Sequence, residues 1–183
     1  MNVKNDWPSP ANAFGGFYIK GSKMLNNHPK VPFTVNKWVH VLNSISIICI
    51  VGSIIYIVFA YQNLSDTIPI HFNAQGDADN WGSKNTVFIM PGIAIILFVG
   101  LYILSKFPHF YNYTVEVTEE NAPRIYTEAN LFMTIINLEI VLIFTLASID
   151  IMGDFLGVWF VGVVFGVPLV TLGVFVFRLT KLK

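Results

Sequence analysis

Four stretches of this chain can cross a bilayer, and that property leaves few folds open to it. A helix needs about 20 mostly apolar residues to span the hydrocarbon core. Residues 38–65, 85–105 and 155–177 contain no Asp, Glu, Lys or Arg, and residues 129–149 contain only Glu139. The spans fall at about 39–61, 86–105, 129–149 and 155–177. Helices buried in a soluble core would show a polar stripe at helical period; these do not. Composition agrees, with 54% hydrophobic and 12% charged residues, where soluble domains carry about 25% charge. The expected fold class is an all-α membrane protein: a four-transmembrane-helix bundle over residues 38–183, preceded by a disordered leader at 1–37.

Basic residues orient such a bundle, because cytoplasmic loops hold the excess of Lys and Arg. Of the eleven in the chain, only Lys84 lies between spans one and two. The rest lie in the leader, in the loop between spans two and three (Lys106, Arg124), or after span four (Arg178, Lys181, Lys183). The expectation is an N-in/C-in, multi-pass protein of the bacterial plasma membrane, with the leader cytoplasmic. A zero net charge gives no reason to expect nucleic acid as a partner. With one cysteine, Cys49, an intramolecular disulfide is excluded.

The short outer loop joins the first two spans. Pro69 favours extended backbone before it, and Asn73, Gly76 and Gly82 are turn formers. A turn-rich cap on the outer membrane face is expected, with the indole of Trp81 at headgroup level. His71, Asp77 and Asp79 form its polar cluster. Imidazole with two carboxylates can hold a cation or move a proton, but the spacing matches no zinc or calcium loop. No metal and no cofactor are therefore expected. The plainer reading is that these side chains satisfy backbone groups of a tight loop; the functional one is ligand or partner contact by His71, Asn73, Asp77, Asp79 and Trp81.

The run Pro69-Ile70-His71-Phe72-Asn73, then Gly76, Asp77 and Trp81-Gly82-Ser83-Lys84, resembles the outer-loop signature of the bacterial membrane family called domain of unknown function 1648. Residues 107–121 and Leu138-Glu139-Ile140 resemble that family's inner loop and third helix, so the likeness extends over about 39–183. The resemblance implies a relation to the N-terminal part of six-span, SdpI-type toxin-immunity membrane proteins. A peptide toxin or other envelope ligand outside and a protein partner in the cytoplasm follow as implied partners, beside the lipid bilayer.

Glu139 lies in the middle of the third span. An acid there costs about 2.5–3.5 kcal/mol, and each neighbouring Leu, Ile, Phe or Val returns about 0.3–0.6, so the helix still inserts. Glu139 should face the bundle interior, hydrogen-bonded to Asn43, Ser44 or another buried polar group. It serves either proton, cation or ligand chemistry or an interhelical hydrogen bond. Glu128, Glu139 and Asp150 recur every eleven residues and so share a helix face, but gaps of about 16 Å are too long for proton hops. Gly162 and Gly166 form a Gly-x-x-x-Gly pair that permits close helix approach, either within the bundle or between copies in a homo-oligomer. Thr118 or Asn121 should start the third helix, with Pro123 in its first turn. No nucleophile elbow, phosphate loop or His-Glu-x-x-His motif is present, so no catalytic residue and no enzyme is expected. The functions this leaves are toxin immunity or envelope sensing, or a proton- or cation-coupled transporter, or its accessory subunit, using Glu139.

Overall fold

The computed structural model describes residues 28–73, 75, 77–150 and 159–182. Four long helices dominate: α1 (Lys37–Ala60), α2 (Ile89–Leu104), α3 (Ala122–Asp150) and α4 (Trp159–Thr180). All four are long and apolar enough to cross a membrane. Their outward surfaces are aliphatic and aromatic: Ile48, Phe59, Ile96, Phe165, Leu169 and Val170 are all well exposed. A water-facing bundle would present charge there; this surface suits hydrocarbon. The protein is a multi-pass membrane protein.

Local chemistry explains where the helices begin. The Asn36 side chain caps α1 by accepting from the Trp38 amide at 3.0 Å. Thr118 and Asn121 bond reciprocally before α3, backbone N–H to side-chain oxygen in both directions. Pro123 sits in the first turn of α3, where its missing N–H leaves no bond unmade. The third helix thus starts at Ala122, the later of the two expected positions, and extends well before its apolar span. Residues 1–27, most of the leader, and 155–158, the expected onset of the fourth span, lie outside the described residues.

The helix α3 is central and packs against α1, α2 and α4, while α4 rests on α3. Buried positions on α1 (Val39, Ser46, Ile50, Ser53, Ile57) and on α3 (Asn130, Thr134, Asn137, Val141, Ser148) follow steps of three, four and seven residues. That spacing keeps each set on one packed face of its helix. Small side chains in it let the backbones approach, as membrane helices require in the absence of a hydrophobic drive between them. The Ser46 and Ser53 hydroxyls donate to carbonyls of their own helix, Leu42 and Ile50. Mid-bundle packing centres on Ile50, Ala94 and Val141.

The fold is not all-helical. Thr67–Phe72 (β1) and Ala78–Ser83 (β2) form an antiparallel hairpin in place of the expected turn-rich cap. Ile68, Ile70 and Phe72 recur at period two, the pattern of a strand. Pro69 is tolerated because a two-stranded sheet has a free side for a residue without an N–H. Ile68 is buried with Ile57 of α1 and Val87 of the 3-10 turn before α2, seating the hairpin on the helix ends. At the opposite end, residues 28–36 cross the loop between α2 and α3. There Val31 and Phe33 pack on a cluster of Val115, Ile125, Tyr126 and Leu179, and the Tyr126 hydroxyl donates to the Pro29 carbonyl at 2.8 Å.

Candidate functional site

The hairpin pairing contains two irregularities that decide which side chains meet. Pro69 faces Trp81, His71 faces Asn80 and Phe72 faces Ala78, so Ile70 and Asp79 are each left over. Such bulges re-aim side chains. Here they bring Asp79 beside His71, with Nδ1 and Oδ1 2.5 Å apart. Asp77 goes elsewhere. The Asn73 side-chain oxygen accepts from the Gln75 and Asp77 amides, both at 2.9 Å, and its amide nitrogen donates to the Asp77 carboxylate. The sequence cluster of His71, Asp77 and Asp79 therefore divides into a His71–Asp79 pair on the strands and an Asn73–Asp77 pair at the turn. Among the described residues no three His, Cys, Asp or Glu side chains converge as metal ligands do.

The pair lies in the open: His71 is 65% and Asp79 43% exposed. Exposed polar pairs contribute little to stability, so its chemistry is available to a ligand rather than spent on folding. Trp81 is 58% exposed on the same hairpin. Behind it, Gly82 admits Ile70 closely; a Cβ there would stand 3.0 Å from two Ile70 methyls. The hairpin base is clamped by Lys84, which bonds the Asp66 carboxylate at 3.0 Å through Nζ and the Asp66 carbonyl through its amide.

Within the bundle, Glu139 points at α4, not at Asn43 or Ser44. Its Oε1 accepts from the Thr171 hydroxyl at 2.5 Å, and its buried Oε2 has no partner among the described residues. Glu128, on the same face of α3, accepts from Arg178 at 2.8 Å. The opposite face of α3 carries two residues that the sequence reading passed over. Asn130 and Asn137 are 0% and 1% exposed; each donates to an α2-side carbonyl (Ser105, Phe98), and the Oδ1 of each has no partner among the described residues. Asn, Thr and Asn at positions 130, 134 and 137 share one helix face, a signal that hydropathy averaging hides. At Gly162 and Gly166 a Cβ would meet no described atom within 4 Å, so both lie on open α4 surface.

The loop end holds His109, Tyr111 and Tyr113. Burial, then the nearby Lys30 and His28, hold the His109 imidazole below its ordinary 6.5. Burial likewise pushes the Tyr111 and Tyr113 phenols well above their usual range. Beside this group a polar cleft of about 550 Å³ opens between Thr114, Glu116, Thr118, Glu120, Asn121 and Arg124.

The family model described as a domain of unknown function, DUF1648, matches residues 48–95. The chain carries a DUF1648 domain. In the structure that domain comprises the second half of α1, the whole hairpin and the first turns of α2. It contains His71, Asn73, Asp77, Asp79 and Trp81 and excludes Glu139, Gly162 and Gly166. The match is narrower than the likeness read from the sequence, whose inner-loop and third-helix portions fall beyond it. The chain is also similar to an uncharacterized protein of Archaeoglobus fulgidus, 32% identical over 66 residues, which is 32% of this chain and 36% of that protein. The chain thus spans about a third of the length of that relative. No solved structure matches it.

Proposed function

We propose that this protein is a non-enzymatic receptor of the bacterial plasma membrane that engages an envelope ligand through its hairpin, in toxin immunity or envelope sensing. One observation carries the reading. The His71–Asp79 pair and Trp81 sit exposed on a hairpin held to the helix ends by buried Ile68. A ligand therefore meets a preorganised surface and does not have to order a loop, which lowers the cost of binding. The basic residues support N-in/C-in placement, with this surface outside. Residues 28–36, the loop between α2 and α3 and the polar cleft beside Arg124 then lie in the cytoplasm, where a protein partner would read the output. A peptide toxin with an aromatic residue and a cationic group complements Trp81 and Asp79.

Deletion of the gene, followed by challenge with peptide toxins of related strains, tests this directly. Sensitisation to at least one toxin is expected, restored by the wild type but not by His71→Ala/Trp81→Ala at equal membrane abundance. Unchanged sensitivity over a broad panel overturns the immunity reading.

A second reading rests on a separate observation, the buried Oε2 of Glu139, which has no partner among the described residues. An intramembrane acid with spare hydrogen-bonding capacity suits proton or cation coupling. A carrier, or its accessory subunit, would show a pH-gradient-dependent flux in proteoliposomes that Glu139→Gln abolishes. Absence of flux under any gradient removes this alternative.

A further inference from the structure

The face of α4 turned toward α3 leaves a groove of about 180 Å³, lined by Leu131, Phe132, Ile135, Val170, Val174 and Phe175. Phe132 and Phe175 stack at 4.1 Å within this lining. One end of the groove is closed by the Glu128–Arg178 pair and the other reaches Thr171. Seven residues of α4 separate these ends, about 10 Å along the helix. An apolar slot with one ion pair at the membrane-interface end and open to the surrounding lipid has the polarity of a phospholipid, tail along the slot and headgroup at the pair.

The headgroup follows from the pair itself. The Arg178 guanidinium has five N–H donors, and Nη2 gives one to Glu128 Oε1. The Arg178 side chain is 53% exposed, and its planar fork is suited to donating further bonds to a phosphate. Glu128, 20% exposed, keeps its second carboxylate oxygen without a bond to any described residue. An anionic headgroup without an amine would satisfy Arg178 but would face the Glu128 charge uncompensated. A trimethylammonium headgroup has no N–H for the carboxylate. A phosphate joined to a primary ammonium satisfies both. The tail contributes little to the choice, since hydrocarbon in the slot replaces hydrocarbon in the bilayer.

We propose that the α3/α4 groove is a binding site for a single phospholipid with a phosphoethanolamine headgroup, its phosphate on Arg178 and its ammonium on Glu128. The proposal is independent of what the hairpin binds.

The full chain is reconstituted into nanodiscs of equimolar phosphatidylethanolamine, phosphatidylcholine and phosphatidylglycerol with matched acyl chains. Retained lipid is then read by native mass spectrometry after mild delipidation. About tenfold preference for the ethanolamine lipid is expected, the worth of one charge-assisted hydrogen bond. Glu128→Gln should reduce its retention to that of the choline lipid, and Val174→Trp, which fills the slot, should abolish retention of all three. Equal retention of the three headgroups by the wild type, no retained lipid, or a preference that survives Glu128→Gln overturns the proposal. The wild-type headgroup comparison decides the matter even if a variant fails to fold.

Discussion

At the scale of single residues, the informative side chains are those that a membrane interior should exclude. Among the described residues Glu139 is held by one partner, the Thr171 hydroxyl, and removing that donor leaves neither carboxylate oxygen with a described partner. Thr171→Val should therefore destabilise the protein by about 1–2 kcal/mol, read by reversible unfolding in mixed micelles. Adding Glu139→Leu should recover most of that loss, because an acid without its partner is the source of the cost. A double-variant loss equal to the sum of the Thr171→Val and Glu139→Leu losses would show that the pair is not energetically coupled. His109 makes a second residue-scale case. Its folded imidazole is held below 6.5 by burial, Lys30 and His28, so protonation favours the unfolded chain. Its contribution to stability is whole above pH 6.5 and is lost as pH falls through the lowered folded value. Melting curves at pH 7.5 and 5.5, values set about one unit either side of the ordinary histidine pKa, should differ more in the wild type than in His109→Gln.

At the scale of elements, the hairpin is a small sheet that could not stand alone, since isolated two-stranded hairpins are marginal in water. Its order is borrowed from the helices through Ile68, 3% exposed against Ile57 and Val87. Ile68→Ala should cost about 2–4 kcal/mol of local stability and release the hairpin without disturbing the bundle. Limited proteolysis should then cut between β1 and β2 at a much higher rate, with unchanged helical circular dichroism. The same anchoring connects element to function. A hairpin that moves freely would lose ligand affinity even with His71, Asp79 and Trp81 intact. Among the helices, α3 is held on three sides, whereas α4 has Leu179 as its buried residue. By that contrast α4 is the element with the least packing to hold it, and amide exchange should be faster in α4 than in α3.

At the scale of the whole molecule, orientation is the property on which the proposed receptor role depends. With Cys49 replaced, a cysteine introduced at Asn73 should react with an impermeant thiol reagent from outside the cell, and one at Asn112 should not. The reverse pattern would invert the topology. Much of this architecture was legible in the sequence. Span number and approximate limits come from the local sum of side-chain transfer energies, which needs no knowledge of neighbours, and the signature around His71 marked the DUF1648 segment. Strand pairing was not legible, because Pro69 and the turn formers of the loop obscured the alternation of Ile68, Ile70 and Phe72. Nor was the division of His71, Asp77 and Asp79, since two bulges decide it. Which way each helix turns its polar residues is likewise a tertiary matter. Glu139 faces Thr171 and Asn137 faces the Phe98 carbonyl, two residues apart on α3 but on opposite faces. Composition fixes how deep a side chain sits along the membrane normal, while rotation about the helix axis is settled only by packing against neighbours. The sequence by itself therefore determined that the chain crosses the bilayer and where. The tertiary structure alone decided which buried polar atoms found partners.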